Sequence, residues 1–275
     1  MSQESIGVQM TTGIGAACVD CDFDLQGLDA AAPCPECGSS IAYASQPNML
    51  AAAPPEFLKS LGSGLSYILN GILLYVGFVI GSAVFGLLYG MQNALDPESQ
   101  LPLAATIVVS LVSYGLLGMI GVGVYRFTKP EPGTPIPDGS IPRATARFGG
   151  IAFIAANIFS GLAGLGVDPS DPNGLGVWYL VSFGLGLMAL VALAVTFFGQ
   201  VLYVRRLAPR VSNRRIYKLA KQRLWQVPLL STVGIVLLGL GPLIALVLYW
   251  NLLHYLRKDI KAITKRFGTT PASTN

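Results

Sequence analysis

The sequence predicts an all-α polytopic membrane helix bundle of about five transmembrane helices, preceded by a small N-terminal β zinc ribbon. Hydrophobic residues make up 52% of the 275 residues, charged residues make up 12%, and the mean hydropathy is +0.58, which is far from an ordinary soluble domain. The apolar residues form long runs without the alternation that strands of a membrane barrel require. All four cysteines lie in two closely spaced pairs near the N-terminus.

The two cysteine pairs have the spacing of metal ligands. The pairs, separated by twelve residues, are Cys18 with Cys21 and Cys34 with Cys37. A Cys-x-x-Cys turn presents two sulfurs on the same side of a tight knuckle, so two such turns complete the tetrahedral shell of a Zn²⁺ ion. Asp22 follows the first pair and Gly38 follows the second, and both residue types tolerate the positive φ that suits a knuckle. We therefore predict a structural zinc site.

Three other interpretations of the cysteines remain open. Two disulfides would need an oxidising compartment. A redox-active pair would need a cysteine of low pKa in a thioredoxin-like setting that the surrounding sequence does not provide. An iron site would use the same thiolate ligands. In the zinc interpretation the four-cysteine shell leaves no position for water, so catalysis at the metal is not expected.

The sequence around the cysteines resembles a short zinc ribbon found at the N-terminus of many multi-span membrane proteins of planctomycete bacteria. The segment from Cys21 to Leu28, C-D-F-D-L-Q-G-L, followed by C-P-E-C-G from Cys34 to Gly38, is similar to the ribbon pattern C-G-Y-D-L-R-G-L and then C-P-E-C-G. The departures at Asp22, Phe23 and Gln26 do not involve ligands. The resemblance implies an architecture rather than an activity.

Composition divides the chain into five regions. Residues 1–15 have no Lys, no Arg and no apolar run, so we expect a disordered tail and no signal peptide. The Cys₄ zinc ribbon occupies 16–44, with strand-like stretches at Asp24-Leu25 and Ile41-Ala42-Tyr43. A linker rich in Pro, Ala, Gly and Ser covers 45–64, and Pro54-Pro55 opens a short turn of helix within it. The transmembrane helical domain follows at 65–256 and a basic tail at 257–275.

Five apolar segments are candidates for crossing the membrane. They are Leu65–Gly90, Leu103–Tyr125, Gly149–Val167, Gly176–Val204 and Pro228–Leu256. A helix needs about 20 residues to cross the hydrocarbon, and four of the segments clearly reach that length. The segment at Gly149 is shorter and rich in Gly and Ala. No Asp, Glu, Lys or Arg lies within the five segments, which disfavours an ion-coupled transporter or a proton relay.

The distribution of Lys and Arg predicts the orientation. Thirteen of the 18 Lys and Arg residues fall on the side of the N-terminus, and the connections at 91–102 and 168–175 hold none. The positive-inside rule therefore places the ribbon in the cytoplasm of a bacterial cell, where the reducing conditions favour zinc over disulfides. Five crossings would put the five cations at 257–266 outside. We expect five crossings, with these five cations as an exception to the positive-inside rule. One alternative is a re-entrant hairpin broken at Gly239-Leu240-Gly241-Pro242. Another is that the Gly149 segment does not cross.

Charge asymmetry suggests a partner for the ribbon. Residues 1–62 carry a net charge of −6 and the rest of the chain carries +10. Nucleic acid is not expected as a partner, because phosphate contacts require cations and the ribbon has no Lys or Arg. We expect the ribbon to dock on the basic segment 205–226 or on a basic protein partner, unless it is a solvated domain on a tether. Within that segment, Ser212–Val227 resembles an interfacial helix with an apolar stripe and five cations.

Function and assembly are predicted only as classes. We expect an interaction or regulatory module anchored in the lipid bilayer, and the alternative is a channel or permease for a neutral or lipid-like solute. A lipid-directed enzyme is disfavoured, since the sequence has no Gly-x-Ser-x-Gly elbow and no P-loop. The glycine pairs Gly77-x-x-x-Gly81 and Gly86-x-x-x-Gly90 can form a homo-oligomer interface or pack inside one bundle, and we expect the second.

Overall fold

A computed structural model of the chain contains six α-helices after a small N-terminal unit. It describes residues 11–12, 16–44, 49–95, 103–131, 140–165, 174–211, 213–232 and 240–267. The helices are α1 (Pro55–Leu95), α2 (Leu103–Phe127), α3 (Ser140–Leu165), α4 (Gly174–Leu207), α5 (Arg214–Thr232) and α6 (Leu240–Phe267). Short 3-10 helices lie at Ala42–Ala44, Leu50–Ala52 and Pro209–Val211.

Helices α1 to α4 are long and apolar enough to cross a membrane. In the most apolar part of α1 only 11% of the residues are buried within the protein, and the corresponding share reaches 22% in α3. Large apolar side chains therefore cover the outside of these helices, where lipid is the solvent that suits them. The four helices indicate an integral membrane protein.

Neighbouring helices in this bundle are antiparallel and closely packed at glycine. A Cβ on Gly64 of α1 would lie 2.5 Å from the backbone nitrogen of Phe127 at the end of α2, so Gly64 has room only for hydrogen. A Cβ on Gly199, near the end of α4, would likewise clash with the backbone of Ala146, near the start of α3. Pro55, Phe127, Ser140 and Leu207 therefore mark one end of the bundle, on the side of the ribbon.

The prediction of a fifth crossing helix was wrong. The predicted segment Pro228–Leu256 is divided between the end of α5 and the first part of α6, and residues 233–239 between them lie outside the described part of the chain. The two helices form an antiparallel hairpin, because Asn213 before α5 donates a hydrogen bond of 2.6 Å to Asp259 late in α6. Pro242 lies in the first turn of α6, where proline is tolerated because its missing N–H would have no partner within the helix.

Three predicted boundaries also change. Helix α1 begins at Pro55, so the predicted linker 45–64 is helical from that residue, and Phe57, Leu58 and Leu61 bury their side chains in the bundle core. The predicted tail 257–275 is helical as far as Phe267, and 268–275 lie outside the described residues. Helix α3 begins at Ser140, nine residues before the predicted Gly149, which makes it long enough to span.

The expectation for the glycine pairs of α1 was wrong as well. A Cβ at Gly77, Gly81, Gly86 or Gly90 would meet no atom within 4 Å, so these glycines do not pack inside the bundle. They lie on the half of α1 that is distant from the cysteine unit, at positions that are exposed or partly exposed in the described part of the chain. A homo-oligomer interface at this face stays a prediction.

With four crossings, we expect the two chain termini to lie on the same side of the membrane. Reporters that are active in only one compartment, fused before Met1 and after Asn275, should give the same signal. A fusion after Asp96, in the connection between α1 and α2, should give the opposite signal and serves as the control. Opposite signals from the two termini would restore the fifth crossing.

Candidate metal centre

The four cysteine sulfurs converge on one point. The Sγ atoms of Cys18, Cys21, Cys34 and Cys37 all lie within 4.8 Å of one another. The shortest separations join the two pairs, with 3.5 Å from Cys18 to Cys37 and 3.7 Å from Cys21 to Cys34. The structure thus brings together all four of the residues predicted as metal ligands.

Two knuckles of the same geometry hold the sulfurs. In the first, the Cys18 N–H donates to the Phe23 carbonyl at 2.9 Å and the Asp22 N–H donates back to the Cys18 carbonyl at 2.9 Å. In the second, the Cys34 N–H donates to the Ser39 carbonyl at 2.8 Å. The Gly38 N–H donates back to the Cys34 carbonyl. The φ angle is +68° at Asp22 and +71° at Gly38, as the residue types predicted.

No β-strand is formed by residues 16–44, so the predicted β ribbon is a set of turns. Single antiparallel bridges close the two knuckles, at Ala17 with Asp24 and at Pro33 with Ser40. The predicted strand-like stretch at Ile41-Ala42-Tyr43 leads into the 3-10 helix Ala42–Ala44 instead.

The sulfur spacing fits a tetrahedral ion. Metal–sulfur bonds of about 2.3 Å around a tetrahedral centre place the sulfurs about 3.8 Å apart, close to the two shortest separations here. A disulfide would bring two sulfurs to about 2.05 Å, and all four cysteines are free thiols. The cluster can therefore hold a metal ion through four thiolates.

Local hydrogen bonds make the thiols unequal. The Ser39 hydroxyl and backbone N–H both donate to the sulfur of Cys37 and lower the pKa of that thiol to about 6. At Cys21 the backbone N–H of Phe23 acts in the same direction, but burial and the three neighbouring sulfurs outweigh it and raise the pKa to about 12. Cys37 is therefore largely a thiolate at neutral pH, whereas Cys21 loses its proton when a cation enters the cluster.

A small apolar core surrounds the cluster. Leu25 and Ile41 are fully buried beside Cys18 and Cys34, and the Tyr43 hydroxyl accepts a hydrogen bond of 2.9 Å from the Val19 N–H. Thr12 joins this core, since its N–H donates to the Leu28 carbonyl at 2.9 Å. Thr11 and Thr12 are thus part of the unit, although the sequence placed them in a disordered tail; residues 1–10 and 13–15 lie outside the described part.

The cysteine unit rests on the end of the bundle that carries the cations. The carboxylate of Asp22 forms an ion pair of 2.5 Å with Arg214 at the start of α5. The 3-10 helix Ala42–Ala44 contacts Pro209–Val211, which a buried ion pair of 2.6 Å between Arg210 and Glu131 ties to the end of α2. Charge asymmetry suggested a contact between the ribbon and the basic segment 205–226, but it could not identify Asp22 and Arg214, 192 residues apart, as the pair.

Helix α5 buries its predicted apolar stripe in the protein. Asn213 caps the helix, because its Oδ1 accepts hydrogen bonds from the N–H groups of Arg215 and Ile216 at 3.0 and 3.2 Å. Ile216 and Ala220 are fully buried against the bundle rather than inserted among lipid headgroups. The guanidinium of Arg215 stacks over the Tyr255 ring at 4.4 Å. The cationic face of α5 therefore points away from the bundle core and toward the cysteine unit.

One tetrahedral ion per chain should accompany the purified protein. We expect elemental analysis to find one metal ion per chain in the wild type and almost none in Cys34→Ser, because a missing ligand opens the shell. Cobalt loading should give a tetrahedral thiolate absorption spectrum in the wild type alone. Glu36→Gln, at an exposed position between two ligands, is the matched control and should keep its metal. Full metal content in Cys34→Ser would contradict the four-cysteine site.

Removing the Ser39 hydroxyl should make the site more sensitive to acid. The hydroxyl stabilises the Cys37 thiolate, so Ser39→Ala raises the pKa of that thiol above about 6 and lets protons displace the metal at a less acidic pH. We expect the midpoint of metal release, followed with a chromogenic chelator, to rise by about half a pH unit. The exposed Ser40→Ala is the control, and equal midpoints for both variants would exclude the effect.

Comparisons with known proteins were made over the whole chain. No protein-family model, no curated protein and no solved structure matches it. The site is therefore interpreted from its own geometry, namely four convergent sulfurs on two equivalent knuckles, seated at one end of an apolar bundle.

Proposed function

We propose that the protein is a zinc-dependent interaction or regulatory module of the bacterial cytoplasmic membrane, with its cysteine unit on the cytoplasmic side. The observation that carries the proposal is the ion pair between Asp22 and Arg214, because it joins the residue next to a metal ligand to the cationic end of the membrane bundle. Metal occupancy and the position of the unit are thereby linked.

Zinc is the ion that the ligand set favours. A tetrahedral shell of four thiolates is typical of zinc or of iron–sulfur chemistry, and a closed shell on two knuckles is typical of structural zinc sites. A reducing cytoplasm keeps such thiols available as ligands. The ion would hold the two knuckles together, and with them the Asp22 carboxylate that follows Cys21.

The cytoplasmic orientation is supported by the cations. With four crossings, every one of the 18 Lys and Arg residues falls at 59, 126–147 or 205–266, which are the segments near the ribbon end. The connections at 96–102 and 166–173 hold none. Under the positive-inside rule this end faces the cytoplasm, and the conflict that a fifth crossing created at 257–266 disappears.

The contact with α5 is weak enough to be reversible. The side chains of Arg214 and Asp22 are 32% and 56% exposed, and an ion pair at such positions contributes little to stability because water screens it. The wider attraction between the net −6 of residues 1–62 and the +10 of the remainder acts over about 10 Å at moderate salt. A basic partner can therefore displace α5 from the cysteine unit, and this exchange is the regulatory step that we propose.

Reversing one charge on α5 should loosen the cysteine unit. In full-length protein in lipid nanodiscs, we expect the amides of residues 16–44 to exchange with deuterium about two to five times faster in Arg214→Glu than in the wild type at low salt. Asp22→Asn, which keeps a residue that tolerates positive φ, should have the same effect. The difference should shrink as salt rises.

Two matched variants separate the contact from net charge. Lys221→Glu makes the same charge change on α5 as Arg214→Glu. Asp20→Asn makes the same charge change in the first knuckle as Asp22→Asn. Both controls are at exposed residues outside the ion pair. They should exchange like the wild type. Equal exchange in Arg214→Glu and Lys221→Glu would refute docking through this pair, while retained metal in all four variants shows that the knuckles are intact.

A further inference from the structure

An elongated apolar cavity lies inside the helix bundle. Its volume is about 290 Å³, and side chains from all six helices line it. Along α1 the lining runs from Ile68 to Ile80, which corresponds to about 18 Å of helix. An apolar cavity of about 150 Å³ already stays dry and binds benzene, so this one has room for a chain on the order of twelve carbon atoms.

The cavity is closed at the ribbon end and open toward the membrane interior. At the closed end the lining residues Ile68, Gln200 and Tyr249 are at most 2% exposed. At the other end Val79 and Ile80 of α1 and Leu243 of α6 also line the cavity, yet they are 46–60% exposed on the outer surface. A lateral opening between α1 and α6 therefore leads from the hydrocarbon region into the protein.

The closed end carries hydrogen-bonding groups without charge. The Tyr249 hydroxyl donates to Oε1 of Gln200, which leaves the two N–H groups of that amide outside this bond. The hydroxyl group of Thr196, one helical turn before Gln200 on α4, donates to the carbonyl of Ala192, so its oxygen keeps a lone pair that can accept. The end of the cavity thus offers both donors and acceptors, and no lining residue is ionisable at neutral pH.

We propose that this cavity binds a neutral lipid with a single hydroxyl head, of the long-chain alcohol class. A hydroxyl both donates and accepts, and so matches the amide N–H groups of Gln200 together with the oxygen of Thr196. The chain lies along the apolar lining and leaves through the opening between α1 and α6. A phospholipid headgroup is too large and too highly charged for the closed end, since burial of an unpaired charge is costly.

A photoactivatable long-chain alcohol tests the site in full-length protein in nanodiscs. Gly150 lines the cavity, and a Cβ there meets no atom within 4 Å, so Gly150→Leu fills the space without a backbone clash. We expect this variant to reduce cross-linking to lining peptides of α3 and α4 by roughly tenfold. Gly186→Leu is the matched control, because Gly186 also has open space but lies outside the cavity, and it should label like the wild type.

The polar end is tested separately with Gln200→Leu. This variant should lower labelling by the alcohol several-fold and leave labelling by the same chain without a hydroxyl unchanged. Equal labelling of Gly150→Leu and wild type would overturn the cavity as the binding site. Labelling of the lining by a phosphatidylcholine carrying the same chain, at the level of the alcohol, would overturn the neutral head. Gel filtration and metal content report whether each variant is folded.

Discussion

The hydrocarbon interior of a membrane excludes charged groups, and this constraint determines where the charged residues of this protein lie. Each of the four spanning helices keeps its charged residues at its ends, and the antiparallel order of the helices brings those ends together on the side of the cysteine unit. In a membrane, lipid chains contact the apolar side chains that remain exposed on α1 to α4. A cationic platform therefore forms at one end, and an acidic domain that has no membrane surface of its own can rest on it.

Two interactions of very different strength control the cysteine unit. A structural zinc ion in small peptides contributes about 10–16 kcal/mol of binding free energy, whereas an exposed ion pair such as Asp22 with Arg214 contributes far less. The first is enough to hold two knuckles and a small core together. Under the proposed function, the second is weak enough for the folded unit to leave α5 and return while its metal stays bound.

The hairpin of α5 and α6 takes part in both the metal unit and the cavity. On its outer side, Arg214 and Asn213 face the cysteine unit and the end of α6. On its inner side, Tyr249 lines the closed end of the apolar cavity beside Gln200 of α4, and Ser231 lines the cavity near the end of α5. Because α5 and α6 form a hairpin, the same pair of helices contributes to both sites.

Local sequence was sufficient to predict the convergence of the four cysteines, the knuckle residues with positive φ, four of the five proposed spanning segments and the segregation of charge. Each of these follows from spacing or from the composition of a short window, because a Cys-x-x-Cys turn and an apolar run act over a few residues. The remaining features required the packed structure. The hairpin in place of a fifth helix, the pairing of Asp22 with Arg214 and the cavity around Gln200 depend on how distant helices pack, and packing leaves no periodic signal in a single sequence.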